Sequence, residues 1–110
     1  PGWIVNVTND AWFGDTPGPR QHLHQSRVRA VEQGLPVVRA ANSGISAIID
    51  SYGRVTSSLG LGLQGVVDGS LPQARSAPPF ASFGNAPFLI FICIIYALSV
   101  VGCRFGDRRL

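Results

Sequence analysis

Residues 21–50 read QHLHQSRVRAVEQGLPVVRAANSGISAIID, and this stretch decides the fold class. Gln21 to Gln33 has helix-forming composition, and Gly34 followed by Leu35-Pro36 is a C-cap and stop signal. Val37 to Ala41 then reads as a strand, Asn42-Ser43-Gly44 as a turn, and Ile45 to Asp50 as a second strand. Ser51-Tyr52-Gly53 joins that strand to Arg54–Leu59 as a hairpin. Upstream, Trp3 to Val7 is a short apolar run expected to be a buried strand. It delivers Thr8-Asn9-Asp10 at its C-terminal end, where α/β folds place their sites. Ala11 to Arg20, with two Pro and two Gly, reads as a loop. Val66 to Leu71 reads as a last strand before the Pro-rich stretch Pro72 to Pro79. This order marks part of an α/β sheet protein. One helix cannot cover both faces of such a sheet, so most of the domain is expected outside this sequence.

The charge pattern adds a second element. Nine arginines stand against six acidic residues, a net charge of +3, with no lysine and no methionine. The sequence opens on Pro1 and is therefore expected to start inside a longer gene product. Charged residues make up 14 % and the mean hydropathy is +0.22, which excludes a disordered polar tail and points toward lipid. The arginines are scattered, so no nucleic-acid partner is expected. Two cysteines are too few for a disulfide framework.

Between Arg75 and Arg104 there is no charge, and Ala86 to Cys103 reads APFLIFICIIYALSVVGC. A run of roughly 17–25 apolar residues crosses a bilayer as a helix. Asn85 is placed to cap it, Pro87 fits its first turn, and Phe80 and Phe83 precede it as interfacial aromatics. Arg104, Arg108 and Arg109 follow, which puts that end in the cytoplasm and residues 1–80 on the opposite side. Cys93 and Cys103 lie about 15 Å apart along this helix by its rise per residue, and are read as apolar fillers without a nucleophilic role.

Several motifs carry little chemistry. Gly60-Leu61-Gly62-Leu63-Gln64-Gly65 matches G-x-G-x-x-G, but strand-like residues follow it where a phosphate-binding helix should start. It is read as a flexible loop. His22 and His24, two apart on a helix, point to different faces and lack partners for a metal, so no metal site is expected. They are read as helix-surface histidines or as making a hydrogen bond at the helix N-terminus. Arg29 and Glu32, three apart, are spaced to pair on the helix. Asn9-Asp10-Ala11-Trp12-Phe13-Gly14 is the most informative stretch: polar residues at a strand end, two aromatics and a glycine suit the wall of an apolar pocket, or ordinary aromatic packing.

That string, with Gly18-Pro19-Arg20-Gln21-His22-Leu23, the R-x-R-A-x-E of Arg27–Glu32, Pro36–Asp50, Gly53-Arg54 and Phe80–Asn85, resembles the C-terminal third of the bacterial apolipoprotein N-acyltransferases. These form a membrane-embedded branch of the nitrilase, or carbon–nitrogen hydrolase, superfamily. The resemblance implies a partial nitrilase-like αββα sandwich followed by one C-terminal transmembrane helix. It divides the chain into 1–71 (the α/β part), 72–85 (linker), 86–103 (transmembrane helix) and 104–110 (basic cytoplasmic tail). It places the chain in the bacterial inner membrane, in a multi-pass protein with residues 1–80 periplasmic.

The activity so implied is transfer of an acyl chain from a phospholipid donor, through a Cys thioester, to the α-amine of a diacylglyceryl lipoprotein, without a cofactor. The family's Glu, Lys and Cys triad falls before Pro1, so no catalytic residue is carried over; Glu32 belongs to R-A-x-E and neither Cys93 nor Cys103 matches the nucleophile. The residues carried over line the substrate pocket: Asn9, Asp10, Trp12 and Phe13 on the Trp-containing loop, with Arg39 and Asn42 at the end of the next strand. The alternatives are the last segment of an amide or nitrile hydrolase, and a non-catalytic membrane-anchored binding module.

Overall fold

The computed structural model describes residues 1–106. Strand β1 (Ile4–Asn9), helix α1 (Gly18–Gln33) and strand β2 (Val37–Asn42) form a parallel strand–helix–strand unit, with Ile4 paired to Val37 and Asn9 to Asn42. Strands β3 (Ser46–Ile49) and β4 (Val55–Leu59) add antiparallel, giving one sheet in the order β1-β2-β3-β4. The α/β class expected from residues 21–50 is the observed one.

Helix α1 begins earlier than its composition suggests, at Gly18 instead of Gln21. Pro19 fits the first turn because its missing N–H has no intrahelical partner there anyway. The helix ends at Gly34, whose left-handed φ of 67° and N–H bond to the Ala30 carbonyl make it the expected C-cap. Small residues let α1 lie close on the sheet: Ala30 meets Ala47, Val37 and Ile49, with Ile4 and Leu23 packed around them.

Two expectations fail. The first strand is not buried on both sides: Trp3 is 46 %, Val5 58 % and Val7 78 % exposed. Here β1 is the sheet edge and α1 covers one face only, so Ile4, Asn6 and Thr8 turn inward while their alternate neighbours face outward. The strand expected at Val66–Leu71 is absent. That segment crosses the sheet face opposite α1 instead of extending the ladder. Gly69 lies so close to it that a Cβ there would stand 2.9 Å from Ile48 Cδ1.

The β3–β4 hairpin closes the far end of the sheet. Asp50 Oδ1 accepts the N–H groups of Tyr52 (2.9 Å) and Arg54 (2.8 Å), and Oδ2 accepts Arg54 Nε–H (2.7 Å). Burial pushes the Asp50 carboxyl up, but the Arg54 and Tyr52 hydrogen bonds and the Arg54 charge outweigh it and hold the group below its ordinary value.

Residues 72–85 contain a short helix, α2 (Pro79–Phe83), and are tied to the C-terminal end of α1. Arg75 donates its N–H to the Gly34 carbonyl (2.9 Å) and Nη2–H to the Val31 carbonyl (3.0 Å). Helix α3 (Ala86–Gly106) follows, its first turn joined to the Asn85 carbonyl by the Leu89 N–H at 3.0 Å. Ala86–Arg104 is long and apolar enough to cross a membrane, with a mean hydropathy of 2.5 and none of it buried. Arg104 lies in the last turn of α3; Arg108 and Arg109 of the basic tail are outside the described residues.

Candidate functional site

A parallel β–α–β unit sets the C-terminal ends of its strands beside the first turns of its helix. Here that geometry gathers Asn9, Asp10, Asn42 and His22; Arg39, expected at the strand end, lies within β2 opposite Asn6, and its side chain reaches Asp10 from there. Asp10 is fully buried and accepts on both carboxylate oxygens: Arg39 Nη2–H on Oδ2 (2.7 Å), His22 Nδ1–H on Oδ1 (2.7 Å), and the Thr8 hydroxyl on Oδ1 (3.2 Å). A carboxylate held by a guanidinium only accepts, which puts the shared proton on His22 Nδ1. The 3.3 Å approach of Arg39 Nη2 to that nitrogen is therefore donor to donor, a contact and not a bond.

Arg39 is buried as deeply and nearly saturated. Its Nη1 donates to Asn6 Oδ1 (2.7 Å) and Ser26 Oγ (3.0 Å), and its Nε to the Ile45 carbonyl (3.1 Å). Four elements or turns are thus tied through one guanidinium. A buried ion pair is tolerable only when its remaining donors and lone pairs are met in this way. The chemistry left over is small, because Asp10 and Arg39 neutralise each other and neither Cys93 nor Cys103 lies near them; both are exposed on α3. Among the described residues no three His, Cys, Asp or Glu side chains are grouped to hold a metal ion.

What the cluster fixes is the turn that follows β1. The Asp10 carbonyl accepts the Phe13 N–H (3.0 Å), and Asn9 Oδ1 accepts the Ala11 N–H (3.1 Å), which makes Ala11–Phe13 a single 3-10 turn. Phe13 packs its ring against His22, centroids 5.8 Å apart, and against Gly18, where a Cβ would collide with the Phe13 ring. Gly44 meets Asp10 with the same lack of room, so the turn after β2 is held against the cluster too. Trp12, at the centre of the turn, is 89 % exposed. A large aromatic is held out into solvent by a rigid, buried ionic anchor.

The six residues expected at the pocket divide accordingly. Asp10 and Arg39 are buried partners, Trp12 and Phe13 stand on the turn that they hold, and Asn9 and Asn42 pair at the strand ends, with Asn42 Nδ2–H donated to Asn9 Oδ1 at 3.3 Å; of the six, only Asp10 lines the cavity beside the turn. His22, Asn6 and Ser26 were not among the expected site residues. The signal for His22 was its place in the helix turn next to the strand end. Asn6 was legible as the one polar residue within the apolar strand. Beside the turn lies an open cavity of about 310 Å³ lined by Asp10, Ala11, Gly14, Asp15, Ser43, Leu61 and Gly62. The loop that carries Leu61 and Gly62 is the glycine-rich one, and no helix starts directly after it: residues 66–78 are extended or irregular.

The carbon-nitrogen hydrolase family model matches residues 3–78. A protein named apolipoprotein N-acyltransferase in Brucella melitensis is 68 % identical over 110 residues, covering 96 % of this chain and 20 % of that protein. Proteins of the same name in Bradyrhizobium diazoefficiens (53 % over 100 residues, 91 % of this chain, 19 % of that protein) and Rickettsia bellii (50 % over 97 residues, 87 % and 19 %) are similar as well. The chain spans about a fifth of the length of these curated relatives.

Proposed function

The chain belongs to the carbon–nitrogen hydrolase family, and from that premise we propose that it is one segment of a membrane N-acyltransferase acting on lipoproteins. The observation that carries this reading is the 68 % identity, along 96 % of the chain, to a protein named apolipoprotein N-acyltransferase. The geometry supports it: a rigid turn presents Trp12 and Phe13 beside a cavity, in a chain that also carries a helix able to cross a membrane.

In this reading a Cys thiolate attacks the ester carbonyl of a phospholipid, and the lysophospholipid oxygen leaves with a proton. The resulting thioester is then attacked by the amine of the lipoprotein, which gives up its proton to a general base as the thiolate departs. The Glu, Lys and Cys of these steps belong to sequence outside the 110 residues. The chain has no lysine, Glu32 is paired with Arg29 at 2.8 Å on the helix surface, and both cysteines sit on α3. Its own contribution is the pocket wall carried by Asn9, Asp10, Trp12, Phe13 and Asn42, with Arg39 buried behind it as the partner that holds Asp10. We assign 1–71 to the α/β part, 72–85 to the linker, 86–103 to the membrane span and 104–110 to the cytoplasmic tail, with residues 1–80 periplasmic at the bacterial inner membrane.

The test is a chimera in which this chain replaces the matching segment of the Brucella melitensis relative. The chimera is expected to form a thioester from phospholipid and to acylate a diacylglyceryl-cysteinyl peptide, while the 110-residue chain alone does neither. A membrane-inserted chimera without thioester, or acylation by the chain alone, would contradict the reading.

A further inference from the structure

We infer that His22 is a positioning residue for acyl transfer: from the first turns of α1 it holds, through its hydrogen bond to Asp10, the turn that carries Trp12. The inference rests on the acyl-transfer reading above. His22 meets that turn on both flanks of Trp12. Two residues before Trp12, the Asp10 carboxylate accepts His22 Nδ1–H at 2.7 Å. One residue after it, the Phe13 ring packs on the imidazole, with centroids 5.8 Å apart and planes tilted by 57°. The other ties reach one flank each. Arg39 and the Thr8 hydroxyl hold Asp10, and the Thr16 hydroxyl donates to the Phe13 carbonyl at 2.6 Å.

Charge balance does not need His22. Asp10 and Arg39 are both fully buried and neutralise each other at 2.7 Å. What the imidazole adds is direction. Its bond fixes the second carboxylate oxygen of the residue whose carbonyl accepts the Phe13 N–H and so opens the 3-10 turn. The imidazole is 29 % exposed, so it works at the boundary between the buried pair and the turn. Without it, Asp10 Oδ1 keeps the Thr8 hydroxyl at 3.2 Å and Oδ2 keeps Arg39, so no buried charge is orphaned. The sheet and α1 should therefore survive the loss of His22 while the turn loosens. His22 takes no part in bond making; it acts through Trp12.

Two measurements test this. In the 110-residue chain, amide hydrogen exchange reads the turn directly. His22→Ala should speed exchange of the Phe13 N–H about tenfold or more, the contribution of a hydrogen bond to a charged group. The Ile4 N–H, bonded to the Pro36 carbonyl at 2.9 Å, should be unchanged. His22→Asn keeps a donor nitrogen at the same number of bonds from Cβ and should restore slow exchange, whereas His22→Phe keeps only a ring and should not. In the chimera, His22→Ala should lower the single-turnover rate of thioester formation about tenfold when Trp12 is present. In a Trp12→Ala background it should lower it about twofold or less, because two residues that act as one unit do not add. The amount of folded protein should stay constant. Unchanged exchange at Phe13, equal acceleration at Phe13 and Ile4, or rescue by Phe instead of Asn would overturn the hold on the turn. No loss of rate with Trp12 present, or the same loss in both backgrounds, would overturn the positioning role. A chimera that keeps His22 and Trp12 and forms no thioester contradicts the acyl-transfer reading itself, while the exchange rates still decide whether His22 holds the turn.

Discussion

The two faces of the four-stranded sheet are finished to different degrees. Beneath α1, Ile4, Val37, Ala47 and Ile49 pack with Ala30, and Asn6, Ser26, Asp10 and the Ile45 carbonyl nearly saturate the buried Arg39. On the opposite face Trp3, Val5 and Val7 stand bare, and only the extended segment with Gly69 crosses Ile48. The closed face is specified by the chain's own helix. The open one has the apolar alternation that a sheet buries against a second sheet in a sandwich, in keeping with the αββα architecture of the family. The difference shows what an ionic centre does in a core. A well-packed apolar replacement of such a pair is often as stable, so its value here is geometric: it fixes the turn bearing Trp12, while the bare face fixes nothing.

The contrast is open to breaking on both sides. Arg39→Leu in the 110-residue chain leaves Asp10 buried without its partner and should lower stability by about 3–5 kcal/mol. Chemical denaturation in detergent, followed by tryptophan fluorescence, measures it. Replacing Asp10 by Asn in the same chain should recover part of the loss, and a cost below about 1 kcal/mol for Arg39→Leu alone would remove the anchor from the account. On the open face, Val7→Ala and Trp3→Ala should shift the stability of the isolated chain by no more than about 0.5 kcal/mol, as exposed substitutions do. If the sandwich implied by the resemblance is formed in the chimera, a second sheet covers this face and Trp3→Ala should cost about 3–5 kcal/mol, the range of a packed Trp. Equal costs in the two settings would mean that the face is not bare in this chain.

The smallest effect belongs to the hairpin at the far end of the sheet. The folded-state Asp50 carboxyl lies below its unfolded value of about 3.9. Its contribution is therefore present above about pH 4 and lost as pH falls through the lower, folded value. Stability measured between acid and neutral pH should show this loss in the native chain and lack it in Asp50→Asn. The same pH profile in both would assign the acid sensitivity elsewhere.

The fold was legible where a residue has only one physical use. Gly34 before Leu35-Pro36 ended the helix as read, Ser51-Tyr52-Gly53 turned the hairpin, and the uncharged run from Ala86 formed one continuous helix. It was not legible where two surroundings suit the same residues. Trp3–Val7 reads as buried, but an edge strand under one helix shows half of it to solvent. Val66–Leu71 has strand composition, but Gly69 allows it to cross the sheet where β-branched neighbours suggested a ladder. At the site, Asp10 was singled out from its strand-end position, whereas Arg39, expected at the end of the next strand, lies within β2, paired with Asn6 and Ala47. Their mutual ion pair, and its extension to His22, depends on register between segments far apart in sequence, which no local pattern encodes.

The central claim is that the closed face holds Trp12 as a working wall of the acyl-transfer site and not as packing. Trp12 is 89 % exposed and belongs to neither packed face of this chain's sheet; if it lines the site, Trp12→Ala in the chimera should leave the amount of folded, membrane-inserted protein unchanged. A misplaced acyl chain can slow attack about a hundredfold. The direct measurement is the single-turnover rate of thioester formation per folded molecule, wild type against Trp12→Ala. A loss of about a hundredfold at constant protein level is the predicted result. A loss of protein in proportion to rate, or no loss of rate, would contradict the claim.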